Sequence, residues 1–584
     1  MLCSNNFVIM GVSGGFPSIV DRVLSKLTGL KVRDVDLSSA KAVVAVSDEN
    51  CILEKEGRLI VFYGVFLGEN PHSLFGKLNN FEVFSREYRH QGVVALIDIG
   101  EKTIRIIGDP AGTRSVFYFV TPDAFIISTD MKLLKDVARA LSIRFRYDVL
   151  ALYEIIVFGY IVSRRTIFEN VHRMLPGEIL TVQVGGGFLE HHISKYWDLV
   201  PANNPQEERK PVAKLIGSLI NHLDDYCEET SGSEIAVAVS GGIDSSLLLL
   251  LASKAEKCRQ IRAIHVNLEN LVEFLLSKLI IAKTKTPYYV QVFPIEKLKK
   301  NYIRLLSNLL EVVGYPREGD VALPYLILAQ IERDKGIRFS IGGDGADSIY
   351  GGYDYYKFFA THLLLEKRIP DLLRLIKILG KYNYNREKQY SIILRTILQF
   401  AMRFYPIRYQ YIKLRLHRRS SIQNKRLNKL IAQYLAELSN NLYDASAHDY
   451  YHEILGRMLT LKASHLVYTR VKAEESRGIT VFLPYALRET IELIMQIPPE
   501  YFFLPIGSRS LPRLILKYFR VPPALYLQFK SGFSTTVHIL RDSEISLYMK
   551  NFVNKCWVSM YIKTDKLTPF EIHNLFNACL VTSP

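Results

Sequence analysis

Apolar residues in the first 200 positions fall into short runs divided by polar turns. The clearest are AVVAV (42–46), LIVFYGVFL (59–67), VVALID (93–98), TIRII (103–107), VFYFV (116–120) and ILTVQV (179–184). They are rich in β-branched and aromatic residues and bounded by Gly, Pro, Asp or Asn, which predicts an antiparallel all-β unit. One helix, around Val149–Phe158, interrupts it. PANNPQEERKPV (201–212) reads as a linker, with its prolines, asparagines and charges. Beyond it the rhythm changes. Strands IAVAV (235–239), IRAIHV (261–266), YYVQVF (288–293) and RFSIG (338–342) alternate with helices starting near Asp244, at about 272–284 and running to about 335. That alternation predicts a parallel α/β sheet covered on both faces. From about 355 to 475 the pattern is helical and basic. The fold class expected is therefore α/β combined with α+β.

Length adds scale: 584 residues fit two to four domains. With 48% hydrophobic and 23% charged residues, a largely disordered chain is excluded. The opening MLCSNNFVIM has no basic region followed by a long apolar run, and runs such as SSLLLLLA are too short to span a bilayer. A cytoplasmic protein is expected. Cys3, Cys51, Cys227, Cys258, Cys556 and Cys579 show no CxxC spacing, which argues against a zinc ribbon or a thioredoxin motif, and they are read as scattered reduced thiols. Net charge is +16. Arg403 to Lys429 holds nine Lys or Arg and no acid. This stretch is read as a solvated helical face, with nucleic acid, a membrane surface or an acidic peptide as the partners such charge attracts. No RNA-binding signature accompanies it.

The tetrapeptide VSGG occurs twice. The first copy runs into Phe16-Pro17 and reads as a turn. In the second, an apolar strand ending at Val239 runs into Ser240-Gly241-Gly242-Ile243-Asp244-Ser245-Ser246, and an apolar helix follows. Small residues let a ligand approach the backbone, and the helix start offers free N–H groups. Together they make an anion cradle suited to phosphate. A carboxylate beside phosphate calls for a cation, so Asp244 implies Mg²⁺. After the fourth strand, Gly342-Gly343-Asp344-Gly345-Ala346-Asp347-Ser348 repeats the pattern of glycines and carboxylates. Asp347 is the second candidate Mg²⁺ ligand.

The Ser240–Ser246 stretch resembles the PP-loop of ATP pyrophosphatases. The 342–353 stretch resembles the SGxGxDExFGGY loop of the asparagine synthetase family. GDVALPYLILAQ (319–330), RLILKYFRVPPALYLQFKSGFST (513–535), GDPAGTRSVFYF (108–119) and FGYIVSRRTIFENVHRMLPGEILTV (158–182) are similar to further segments of that family, in order. The resemblance implies an N-terminal antiparallel β sandwich of N-terminal-nucleophile-hydrolase type over 1–200. A linker would follow at 201–212, then an ATP-binding domain at 213–545 with a helical basic insertion at about 355–470, and a helical tail at 546–584. It implies ATP and Mg²⁺ as cofactors. Val239, Ser240, Gly241, Gly242, Ser245, Ser246, Val266, Gly342 and Gly343 would hold the nucleotide, and Asp244 and Asp347 the metal. Lys530 falls on the family's catalytic lysine, and Asp344 or a neighbouring tyrosine would take a proton. Arg513 and Lys517 stand where the family has Lys and Arg.

The pattern breaks at two places. The family's nucleophilic N-terminal cysteine aligns with Phe7, its NGE becomes Tyr63-Gly64-Val65, and its RGPD and GSD segments are not found. Cys3 is near, but its α-amine is tied in a peptide bond. Glutaminase activity is therefore not expected. In ESRGITVFLPYALRETIELIMQIP (475–498), the family's Glu and Arg become Thr480 and Phe482, and PFLD becomes Pro484-Tyr485-Ala486-Leu487. Replacing those charges with Thr and Phe favours a substrate less polar than aspartate, and Ser348 replaces a family Glu as well. The same combination occurs in β-lactam synthetases and lasso-peptide cyclases. The function expected is an ATP-dependent ligase. It would activate a small or peptidic carboxylate as an acyl-adenylate, release pyrophosphate and pass the acyl group to an amine or ammonia. An acidic partner for the 403–429 stretch is a candidate. The alternatives are a non-catalytic nucleotide-binding relative and a tRNA-modifying PP-loop enzyme.

Overall fold

The computed structural model describes the chain outside residues 4–5, 14–29, 38–39, 186–187, 199–210, 317–322, 353–354, 383–388, 420–424, 441–448, 529–538, 540–541, 563 and 583–584. The turn after the first VSGG, most of the expected linker and Lys530 lie outside the described residues. Pro211 and Val212, the end of that linker, already open the helix Pro211–Glu229.

Two antiparallel sheets form the N-terminal part. One runs in the order Leu2–Cys3, Arg58–Val65, Gln91–Asp98, Thr103–Ile107, Glu178–Gly185, Phe188–Lys195, with Ile52–Lys55 beside Arg58–Val65. The other runs Val171–Arg173, Phe117–Val120, Ala124–Ser128, Phe7–Ser13, Ala40–Val46, Lys31–Asp36. Strand alternation sorts the side chains. Phe7, Ile9, Val61 and Tyr63 enter the core between the sheets. Val8 and Met10 face a helical layer with Leu134 and Leu152, while Ile60 and Phe62 face Leu74, Phe75 and Phe84. Both faces of each sheet are covered, which explains strands that are apolar almost throughout.

More than one helix interrupts these strands. Besides Val149–Phe158, which stands where the sequence places it, there are Pro71–Leu78, Phe81–Glu87 and Met131–Ala140. Each starts at an Asn or Asp whose side chain caps a backbone N–H: Asn70, Asn80 and Asp130.

The third sheet is parallel throughout, in the order Tyr288–Val292, Ile261–Asn267, Ile235–Ala238, Phe339–Ile341, Thr480–Phe482. The last strand is an addition to the four read from the sequence. Its three residues are too short for a periodic signal. Helices Ile243–Ala252 and Leu271–Thr284 cover the sheet, and the insertion is helical from Tyr356–Leu365 to Ser464–Glu475. The C-terminal helix Pro569–Thr582 packs beside Val149–Phe158, and Tyr147 stacks on Trp557 at 4.5 Å.

The cysteine expectation needs correcting. The fold joins Cys227 to Cys258 and Cys556 to Cys579 as disulfides, while Cys3 and Cys51 are free and buried. Each pair links separate elements, so no short spacing announces it.

Candidate functional site

From the strand Ile235–Ala238, the next strand in the chain lies on one side and Phe339–Ile341 on the other. A crevice therefore opens at its carboxyl end, where parallel sheets hold ligands. The Ser240–Ser246 turn sits there. Val239 N–H donates to the Ile264 carbonyl at 2.9 Å, carrying the strand one residue further. Ser240 N–H donates to Ser245 Oγ at 3.2 Å, the two hydroxyls lie 3.0 Å apart, and Gly242 N–H donates to Ser240 Oγ at 3.2 Å. The helix Ile243–Ala252 has no side-chain cap at its start. Gly241 has φ +85°, and a Cβ there would strike the Glu273 carbonyl oxygen, so only glycine fits. Gln528 donates to the Gly241 carbonyl at 3.0 Å, and the Tyr485 hydroxyl to that of Asp244 at 3.3 Å.

The second glycine loop stands alongside. Gly342 N–H donates to the Phe482 carbonyl at 3.0 Å, and a Cβ on Gly343 would lie 3.6 Å from Ser245 N. The two carboxylates assigned to metal do converge. They meet on a side chain that the sequence reading overlooks: Arg509 Nη1 lies 2.6 Å from Asp244 Oδ2 and 3.3 Å from Asp347 Oδ1. The Arg509 side chain is 1% exposed, and its backbone is left-handed at φ +60°. Arg513, four residues on, is buried beside it and donates to the Tyr526 carbonyl at 2.6 Å. Burial pushes its guanidinium down to about 10, and Arg509 adds to the effect. Lys517 is exposed. The signal available in the sequence was two arginines four apart, one helical turn.

The donor set fits a divalent cation. Oδ1 of Asp244 is buried and accepts no hydrogen bond among the described residues, while its Oδ2 and the Asp347 carboxylate share the Arg509 guanidinium. Ser246 Oγ is buried and without a partner in the same way. Among the described residues no group of three or more His, Cys, Asp or Glu could hold a metal ion, so other oxygens would complete its coordination.

Asp344 belongs to a separate network. Its carboxylate accepts from Tyr325 Oη and from Arg470 Nη1, and Arg470 also reaches Glu474 at 2.9 Å. Val266 lies on the neighbouring strand, paired with Gln291.

A narrow crevice, partly open to solvent, lies between the Gly345 loop and the N-terminal part. Pro110, Ala111, Trp197, Tyr485, Ala486 and Ile491 are among its walls. The polar groups there are already engaged: Trp197 Nε1 donates to Glu492 at 3.0 Å and Thr460 to the Arg457 carbonyl at 3.1 Å.

Asp109, next to this wall, is 2% exposed, and burial pushes its carboxyl up to about 6 from an ordinary 3.8. A raised carboxyl makes the folded state bind more protons between those values, so stability is lost as pH rises through that window. Relative to wild type, Asp109→Asn is expected to gain about 3 kcal/mol between pH 4 and 7, at 1.36 kcal/mol per unit. Urea titrations at the two pH values measure it.

At the positions that the sequence reading aligns with glutaminase groups, the chain is tightly packed. Phe7 is 0% exposed. Tyr63 donates to Glu475 at 2.6 Å, and Arg114 donates to the same carboxylate at 2.7 Å and to the Gln91 carbonyl at 2.9 Å. The Gln91 amide in turn pairs both ways with the Leu483 backbone.

Comparison with known proteins fits this geometry. The asparagine synthase family model matches residues 230–571. "Asparagine synthetase [glutamine-hydrolyzing] 1" of Bacillus subtilis is 21% identical over 298 residues, covering 48% of this chain and 44% of its own length. "Amidase chyE" of Penicillium rubens is 23% identical over 293 residues, covering 47% and 41%. The chain thus spans less than half the length of these curated relatives. Among solved structures, the allosteric regulatory enzyme of purine biosynthesis aligns at TM-score 0.21 and 9% identity, covering 50% of this chain and 80% of its own. Glutamine-dependent NAD⁺ synthetase from Acinetobacter baumannii aligns at 0.19 and 14%, covering 37% and 47%. Scores this low carry no argument. The family match takes in more than half of the chain, including both glycine loops and Arg509, and on that ground the chain belongs to the asparagine synthase family.

Proposed function

We propose that the protein is an AMP-forming ligase that activates a carboxylate with ATP and hands the acyl group to an amine or ammonia. The observation that carries this reading is the convergence of Asp244, Asp347 and Arg509 at the Ser240–Ser246 cradle. Ser240, Ser245, Ser246 and the loop amides would grip the outer phosphates, helped by the positive start of the helix. Asp244 and Asp347 would hold Mg²⁺, which supplies charge neutralisation as pyrophosphate leaves. Arg509 has a double task. It balances the two carboxylates before the nucleotide arrives, and it offers a guanidinium to phosphate oxygens afterwards. The substrate carboxylate attacks the α-phosphorus, pyrophosphate departs, and the amine then attacks the acyl carbon and releases AMP. Lys530 would steady the charge that develops in both steps. Asp344, hydrogen-bonded to Tyr325, is the proposed acceptor of the amine's proton.

The acceptor's character follows from the wall around Gly345, Tyr485 and Ala486. Its polar groups are engaged, which favours a carboxylate with an apolar body over aspartate. The packed Phe7 and Tyr63 positions leave no place for a nucleophile–base pair, which supports ammonia or a substrate amine over glutamine as donor.

ATP–pyrophosphate exchange with pooled carboxylic acids tests the reading. Exchange with at least one acid is expected, and ATP binding without exchange for any acid would favour a nucleotide-binding scaffold. Gly241→Ala is expected to weaken ATP binding at least about tenfold, since strain of this kind costs about 1–3 kcal/mol and about 1.4 kcal/mol is tenfold. Calorimetric titration measures it.

A further inference from the structure

The insertion contains a helix turned partly inside out. Gln389–Ala401 buries Ile392, Thr396 and Gln399, with Gln399 donating to Tyr450 Oη at 3.0 Å. Its opposite face carries Ile393, Leu394, Ile397 and Leu398, and Leu394 is 64% exposed. The spacing i, i+1, i+4, i+5 keeps these four on one side. Other exposed apolar residues lie beyond the helix end, Phe404 and Ile407 at 52% and 45% exposed, and on the neighbouring helix Ile369–Tyr382, Leu373 at 62%. Contiguous exposed aliphatics of this kind mark an interaction surface.

Charge says what kind. Between 372 and 436 the sequence holds fifteen Lys or Arg and one acid, Glu387, a net +14 of the chain's +16. Arg374, Lys377 and Arg395 are exposed on the same two helices as the aliphatics. The solvated-face reading of 403–429 holds only in part, because Arg408 is 2% exposed and donates to the Met402 carbonyl at 3.1 Å.

We infer that this face docks on an anionic lipid bilayer, with aliphatics sunk among the acyl chains and Lys and Arg at the headgroups. A nucleic acid would engage the cations and stack on Phe404, but would leave Ile393, Leu394, Ile397 and Leu398 unburied. A second copy of the chain would bring two strongly positive faces together. No helix among the described residues is long and apolar enough to cross a membrane, so the contact is with the surface.

Co-sedimentation of the full chain with phosphatidylcholine–phosphatidylglycerol vesicles, against phosphatidylcholine alone, tests it. Binding to the anionic vesicles only is expected, weakened by salt. Leu394→Glu with Leu398→Glu should reduce it at least about tenfold. Both sites are solvent-facing, and an unchanged far-UV circular dichroism spectrum shows that the fold survives. In a separate variant, Leu398→Trp should add emission that shifts to the blue on the anionic vesicles. No sedimentation would overturn the proposal. So would binding that the double variant leaves intact, a bulk-tRNA complex in place of vesicle binding, or a dimer that the double variant dissociates.

Discussion

Asp244→Asn is expected to lower acid-dependent ATP–pyrophosphate exchange about a hundred- to a thousandfold, the usual loss when one preorganised electrostatic partner of the reacting charge is removed. The change keeps side-chain size and the Tyr485 contact, which goes to the Asp244 carbonyl. It removes one of two carboxylates facing the same guanidinium and leaves the Arg509–Asp347 pair, at 3.3 Å. Folding should hold, while the charge proposed to carry the metal is halved. Arg509→Ala removes a cation that two carboxylates, 14% and 18% exposed, share. Their repulsion should make its ATP binding depend more steeply on Mg²⁺ than wild type does. An Asp244→Asn enzyme that exchanges normally would remove the metal role.

The second large effect is structural. Arg114→Met should destabilise the junction between the N-terminal sheets and the parallel sheet by about 3–5 kcal/mol, because it strands a buried carboxylate. The side chains of Arg114 and Glu475 are 0% and 3% exposed, and Tyr63 is the other donor to that carboxylate among the contacts described. Burial works against the Arg114 charge, but Glu475, Tyr63 and Asp109 outweigh it and hold the guanidinium above its usual value. The double variant Arg114→Met, Glu475→Leu should recover part of the loss, since an apolar pair needs no counter-ion. Urea unfolding of the three proteins measures it. Equal stability of the single variant and wild type would mean that the pair joins nothing.

This junction was half legible. The resemblance places Phe7 and Tyr63 at the positions where the family's glutaminase groups are expected. It does not show that the vacated region becomes a buried ionic contact, because Tyr63 and Glu475 are 412 residues apart and meet only through tertiary packing. The Ser240–Ser246 turn was legible for the opposite reason. Strand, glycines, serines and helix are consecutive, so local geometry alone builds them. Arg509 stayed hidden because it reaches Asp244 across 265 residues. The missed helices are a different case: Asn70 and Asp130 were readable caps, outweighed by the strand-like apolar runs around them. The partly inside-out helix defeats pattern reading as well, since periodicity assigns Ile393 and Leu394 to a core.

The most direct measurement uses the carboxylic acid identified by exchange, labelled with ¹⁸O in its carboxylate, in one turnover with ATP and an amine. The account predicts that one labelled oxygen appears in AMP, because the acid's oxygen attacks the α-phosphorus and stays there when the amine takes the acyl group. Unlabelled AMP, or ADP and phosphate in its place, would contradict it.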